Sequence, residues 1–267
     1  MSVELADFTA LALRRDGGVL HVTLNRPAQR NAMSLAMVRE LRAVLAQAEL
    51  KSDVRVIVLR GAGGHFCAGA DVGDLASARA RLADNPRAIE ETNAAFGELC
   101  GAYAATGIAT VAVVEGACMG GGFGLACVAD VTLAAPSATF KLPETRLGLV
   151  PAQIAPFLVE RLGVAEARRL AVTGATLDAS AAQALRLVHG VGDVDALLAA
   201  TLNDILACAP GAIAATKALM AKARLQSPAS LVAEAAALFS RAALGPEGQE
   251  GTMAFLQKRK PSWAVEP

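Results

Sequence analysis

The sequence predicts an α/β fold, and three observations carry that expectation. Short apolar runs of strand length alternate with stretches of helical spacing over the first half of the chain. Glycine-rich segments stand where two of those runs end, "RGAGGHFCAGADV" after Leu59 and "EGACMGGGFGL" after Val114. From about Gly163 the chain becomes Ala/Leu-rich with helical periods, punctuated at Gly174, Gly190, Pro210 and Pro228, and offers no convincing strand.

The elements follow in order. "LALRRDGGVLHVTLNRP" reads as a hairpin turning at Asp16-Gly17-Gly18, Ser34 to Leu50 has helical spacing, and "VRVIVLRG" is a buried strand. A helical stretch near Ala88 to Ala105 precedes the strand "IATVAVVEG", after which the glycines lead into an apolar helix. "DVTLAA" and "ATFKL" are two short strands about a turn at Pro136-Ser137. The end of the chain, "EGQEGTMAFLQKRKPSW", is an amphipathic helix followed by a basic cluster and a proline stop.

Composition bounds the function. At 267 residues the chain sits near the upper limit of one core, so one main domain is expected, with room for an appendage. Lys plus Arg balance Asp plus Glu at 25 each, and aromatics are only 4%, which argues against nucleic acid and acidic membranes as partners. Any anionic ligand must be caught locally. The five cysteines lack CxxC spacing and mostly lie in Ala/Val/Leu-rich surroundings, reading as reduced core residues. The N-terminus "MSVELADFTA" has no basic stretch before an apolar core, and every long apolar run is cut short of the ~20 residues a bilayer needs. A soluble cytoplasmic protein, neither exported nor membrane-spanning, is the expectation.

Chemistry concentrates at the glycines. Bare backbone approaches a ligand closely, and the first amides of a helix lack partners within it, so Gly121 or Gly122 can donate to an oxygen that becomes negative during reaction. A second amide near Ala70 completes a two-donor oxyanion hole. The plain alternative is that these glycines serve only tight turns and close packing. Neither segment has GxGxxG with an acidic residue downstream, so a dinucleotide loop is disfavoured. No G-x-S-x-G occurs, the three histidines (His21, His65, His189) read as structural, and no cluster has metal-ligand spacing. Among the acids, Glu144 in "FKLPETRLGLVP" has apolar flanks that can desolvate a carboxylate towards a neutral pKa, the plain alternatives being a solvated loop acid or a partner for Arg146.

"HFCAGADV", "GACMGGGFGLACVADVTLA", "FKLPETRLGLVP" and "EGTMAFLQKRKPSW", in this order and spacing, resemble the enoyl-CoA hydratase/isomerase (crotonase) family from about residue 10 to 263. The resemblance implies a spiral of repeated ββα units over residues 1–200, a C-terminal helical trimerisation region over 201–267, and trimers that often pair into hexamers. It also implies a coenzyme A thioester as substrate, with no separate cofactor, its oxygen held between the amides of Ala70 and Gly121. Ala28 and Arg30 in "NRPAQRNA" match the loop lining the CoA nucleotide, and Ala68, Asp71 and Val72 match positions near adenine and pantetheine. Gly120, Gly124 and Pro143 fall within the matched substrate-binding segments, and Lys258 opens a basic run, Lys258-Arg259-Lys260, like that covering CoA phosphates, often in a neighbouring subunit.

One departure bears on mechanism. Typical hydratases of the family carry two glutamates, and where the first stands this chain has Gly124, while the second matches Glu144. The expected activity is hydration of a 2-enoyl-CoA with one glutamate as acid/base, Gly124 leaving room for a bulkier acyl chain. "GGGFGL" and "VPAQIAPF" are similar to the hydratases of branched glutaconyl-CoA thioesters. A double-bond isomerase and a non-catalytic CoA-thioester-binding or RNA-binding scaffold are the alternatives.

Overall fold

In the computed structural model residues 8–51 and 53–264 are described. The segment 1–7, where no export signal was expected, lies outside them. The hairpin forms as expected: β1 (Leu11–Asp16) and β2 (Val19–Leu24) pair antiparallel about Gly17 and Gly18. Strands β3 (Val56–Gly61), β4 (Ala109–Val114), β6 (Val131–Ala134) and the two-residue β9 (Gly190–Val191) then add in parallel, giving the order β1-β2-β3-β4-β6-β9.

A second, smaller ladder stands beside this sheet. Its strands are β5 (Ala117–Met119), β7 (Thr139–Lys141) and β8 (Thr176–Asp178), in the order β5-β7-β8. Isolated parallel bridges Cys67↔Cys118 and Met33↔Ala70 extend it backwards along the chain. Each turn of the chain thus contributes one strand to the large sheet, one extended stretch to the small ladder, and then a helix, which is a ββα spiral. The unit β4, β5, α4 (Gly121–Val128) is its most regular turn.

Period-two alternation fixes which residues face which core. Ile57 and Leu59 of β3 point into the main core with helix α1 (Leu35–Glu49), while Val56 and Val58 point the other way, onto Leu198, Leu202 and Leu206 of α7 (Val194–Ala207). Helix α1 starts where the sequence places it, its Ser34 hydroxyl accepting from the Met37 amide at 3.2 Å. Helix α3 occupies Ala88–Ala105, as expected, with Leu99, Cys100 and Tyr103 buried.

Several elements differ from expectation. Helix α2 (Val72–Ala80) was not anticipated, nor was β5, because three residues hedged by glycines carry no period. Strands β8 and β9 lie in the region expected to be helical throughout; each is too short to alternate, and exists because a ladder is already there to pair with. The rest is helical: α5 (Ala155–Thr173), α6 (Ala179–Ala184), α7, α8 (Pro210–Ala223), α9 (Pro228–Leu244) and α10 (Pro246–Leu256). Four cysteines are buried core residues, but Cys208 is exposed at the end of α7, outside the expected core role. No single helix among the described residues is long and apolar enough to cross a membrane.

Candidate active site

The two glycine segments meet edge to edge. The Cys67 amide donates to the Ala117 carbonyl at 2.9 Å and the Met119 amide to the Cys67 carbonyl at 2.8 Å, a parallel register that runs Cys67 against Cys118. Further along, Gly69 lies against Met119 and Gly120, and Ala70 and Gly121 are the residues that follow that contact. Gly121 opens α4, so its amide has no partner within the helix. At Ala70 the Met33 amide donates to the Gly69 carbonyl and the Asp71 amide to the Met33 carbonyl, so alternation turns the Ala70 amide to the opposite side. Ala70 and Gly121 both line one cleft of about 620 Å³.

Glu144 enters the same cleft from the next turn of the spiral. Parallel pairing of β5 with β7 brings Lys141 beside Met119, and the Gly120 amide closes the junction by donating to the Lys141 carbonyl at 3.0 Å. Leu142 is buried, Pro143 precedes the 3-10 turn Glu144–Leu147, and Thr145 ties that turn to α5 by donating to the Ala171 carbonyl at 2.8 Å. Arg146 reaches the Thr173 carbonyl rather than Glu144. The Glu144 Oε2 is buried with no hydrogen-bond partner among the described residues, and burial pushes the carboxyl above its ordinary pKa, outweighing the opposite pull of its own backbone amide.

Gly120 is the floor under that carboxylate. Its φ of +50° is left-handed, and a Cβ there would stand 2.8 Å from Glu144 Oε1. Gly120 therefore acts behind the carboxylate and does not line the cleft.

The expectation at Gly124 is corrected. A Cβ at Gly124 would stand 2.2 Å from Ile154 Cγ2, with the Phe96 ring also in contact, so the space is already filled. Gly124 is buried and leaves no room for a bulkier acyl chain. Where a second carboxylate was looked for, the cleft wall is the apolar side chains of Ile154 and Phe96.

The remaining candidates divide. Asp71 lines the cleft, but its carboxylate caps α2 by accepting from the Gly73 amide at 2.8 Å and pairs with Arg26 at 2.7 Å. Burial raises its pKa, and the Arg26 and Gly73 bonds outweigh that and lower it. Ala68 and Arg30 are adjacent, the Ala68 amide donating to the Arg30 carbonyl at 3.0 Å. They lie outside the cleft lining with exposed Ala28 and Val72. Lys258, at the end of α10, does not line it either; the C-terminal segment packs at the far end of β3, where Arg55 donates to the Trp263 carbonyl at 2.8 Å.

Sequence reasoning missed three residues that build this site. Asn31, fully buried with φ +57°, donates to the Ala62 carbonyl at 2.8 Å and the His65 carbonyl at 2.7 Å, locking the loop before α1 to the segment carrying Ala70. Asn93 of α3 and Gln153 line the cleft and bond to each other at 2.8 Å. Asn31 and Gln153 stood within segments singled out from sequence, "NRPAQRNA" and "VPAQIAPF", whereas Asn93 did not. His65 accepts from the Ala117 amide and His189 from the Thr132 amide, each through Nδ1.

A ββα spiral with two backbone amides, free of partners among the described residues, and a desolvated carboxylate along one cleft defines a crotonase-fold enzyme. The chain belongs to the enoyl-CoA hydratase/isomerase family, whose model matches residues 14–266, and the family acts on acyl-CoA thioesters. It is similar to the solved structure of Pseudomonas aeruginosa AtuE, at TM-score 0.92 and 53% identity, covering 96% of this chain and 100% of that one. It is 35% identical to the enoyl-CoA hydratase AFT6-1 of Alternaria alternata, over 79% of this chain and 69% of that protein. It is 31% identical to the mevalonyl-coenzyme A hydratase sidH of Aspergillus fumigatus, over 92% of this chain and 91% of that protein.

Proposed function

We propose that the chain is a hydro-lyase that adds water across the α,β double bond of a 2-enoyl-CoA thioester, with Glu144 as its acid/base. The observation that carries this is the buried, unpartnered Oε2 of Glu144 in one cleft with Ala70 and Gly121. An ionised carboxylate so placed is costly unless it takes up a proton, which suits a group that accepts one from water and passes it on.

Water oxygen attacks the β carbon as Glu144 takes a water proton. The electron pair of the double bond moves to the thioester oxygen, which becomes an enolate held by the Ala70 and Gly121 amides. Collapse of the enolate draws a proton from Glu144 to the α carbon, returning the carboxylate. Each amide donor of this kind typically lowers the barrier by ~3 kcal/mol. Coenzyme A enters as part of the substrate, and no separate cofactor takes part. The hydratase names of similar proteins support this reading.

The apolar wall of Ile154 at Gly124 favours one second reading, a Δ3,Δ2-enoyl-CoA isomerase, because a single carboxylate suffices to carry a proton between two carbons. Incubating a 2-enoyl-CoA in 18O-labelled water separates them. Label on a β-hydroxyl is the expected outcome; a shifted double bond without oxygen overturns hydration.

Exposed Phe239 on α9 and Phe255 and Leu256 on α10 support assembly into trimers or hexamers, within which Lys258 would serve a neighbouring copy's CoA. Light scattering would report a monomer if that is wrong.

A further inference from the structure

The two amides proposed to hold the enolate are backed in different ways. In a planar trans peptide the N–H of one residue and the carbonyl of the residue before it point in opposite directions, so whatever holds the carbonyl also aims the N–H. Behind the Gly121 amide stands the Gly120 carbonyl, which accepts from the Gly124 amide at 3.0 Å. That bond is the first rung of α4, so a helix and its dipole back this donor. Ala70 precedes Asp71, the N-cap of α2, and no helical rung lies behind its amide.

What backs Ala70 is a chain of hydrogen bonds that ends on a cation. The Gly69 carbonyl, on the far edge of the peptide that carries the Ala70 N–H, accepts from the Met33 amide at 2.7 Å. The Ala32 carbonyl, on the far edge of the peptide that carries the Met33 N–H, accepts from Arg26 Nη1 at 2.6 Å. Two peptide groups thus run head to tail from the guanidinium to the Ala70 N–H. A charged donor at the head of such a chain polarises each link, by about 10–30% per bond in condensed phases. Arg26 Nη2 also pairs with the Asp71 carboxylate at 2.7 Å, and the Asp71 amide donates to the Met33 carbonyl at 3.1 Å. The frame is closed on both sides of Ala70. Arg26 does not line the cleft, so it reaches the reacting atoms only through this backbone.

We infer that Arg26 is a positioning residue for the reaction, aiming and polarising the Ala70 amide through the Ala32–Met33 and Gly69–Ala70 peptides. This rests on the enolate-holding role proposed for that amide, and deepens it. An arginine that only tied α2 to the end of β2 would affect stability and leave the pull on a bound thioester unchanged.

The test separates that pull from folding and from binding. In a Glu144→Gln background, where the ligand is not turned over, 2,4-hexadienoyl-CoA is bound to saturation and its absorption band recorded, because polarising the thioester oxygen moves the band of the conjugated chain to longer wavelength. A red shift is expected, and adding Arg26→Met should remove about a third of it at full occupancy. With Glu144 present and the 2-enoyl-CoA of the labelled-water experiment, Arg26→Met should lower kcat about tenfold, less than the roughly 100-fold or more that loss of a whole donor costs, with KM changed by less than about threefold. Arg26→Lys keeps the charge and a donor for the Ala32 carbonyl, and should recover most of both the shift and the rate. Circular dichroism reports folding, and Arg26→Gln, polar but uncharged, serves in place of Arg26→Met if that variant does not fold. A full red shift and near-normal kcat in the folded uncharged variant would overturn the inference, as would a loss that lysine does not repair. Absence of any red shift in the protein that retains Arg26, with ligand bound, would instead sink the enolate-holding reading itself.

Discussion

The Glu144 carboxylate rests on the bare backbone of Gly120, with Oε1 only 2.8 Å from where a Cβ would stand. The Glu144 carboxylate and the turn that leads into Gly121 are therefore packed against each other. Gly120→Ala should strain a left-handed backbone at a cost of about 1–2 kcal/mol and push the carboxylate off its seat. Turnover should fall at least a hundredfold while thermal melting still shows a folded protein. Near-normal turnover would mean that the carboxylate has freedom the packing denies it.

Glu144→Gln should abolish nearly all turnover while thioester binding survives, since the amide keeps the shape but takes up no proton at neutral pH. Steady-state rates and product affinity measured side by side decide it. More than about a tenth of wild-type turnover, equivalent to ~1.4 kcal/mol of barrier, would remove Glu144 from the acid/base role.

The pH dependence has a definite sign. Burial raises the folded-state pKa of Glu144 above 4.5, so between 4.5 and that raised value the folded protein binds more protons than the unfolded chain. Stability from this group is therefore present in acid and declines as pH rises through the window. Glu144→Gln lacks that decline, so its melting temperature relative to wild type should increase with pH across the window. A difference constant in pH would show that the carboxyl is not desolvated. The wild-type hydration rate should move the opposite way and fall on acidification, as the base is lost.

Gly124 and Ile154 should be coupled. Gly124→Ala forces a Cβ to 2.2 Å from Ile154 Cγ2 and should cost about 1–3 kcal/mol by overpacking. Ile154→Ala alone removes a buried side chain, at about 2–5 kcal/mol. Urea unfolding of the double variant should give a total loss smaller than the sum, because the new methyl enters the space vacated. Additive losses would mean that the two do not share that space.

What was legible in the sequence was what repeats or alternates. Strands β2, β3 and β4 and helices α1 and α3 carry full periods, and their bounds fall close to expectation. Ala70, Gly121 and Glu144 stood out because glycine-rich strand ends and a lone acid with apolar flanks are local signals, and all three line one cleft. What was not legible depends on partners distant in the chain. Nothing local to Gly124 says that Ile154 fills its space, and nothing local to Gly97 says that Gln153 lies on it. Strands β8 and β9 are equally silent, having three and two residues.

The small ladder that sets Cys67 against Cys118 has a consequence for how such a chain can be altered. Ala70 and Gly121 lie on its continuation, whereas Asn93, Phe96, Gln153 and Ile154 belong to α3 and to the segment that leads into α5. The ladder and the helical side of the cleft are thus separate stretches of chain that meet at α4, where Phe96 packs at Gly121 and Phe96 and Ile154 pack at Gly124. Substitutions confined to α3 and the segment leading into α5 can therefore reshape that wall of the cleft while the ladder that positions Ala70 and Gly121 keeps its own hydrogen bonds.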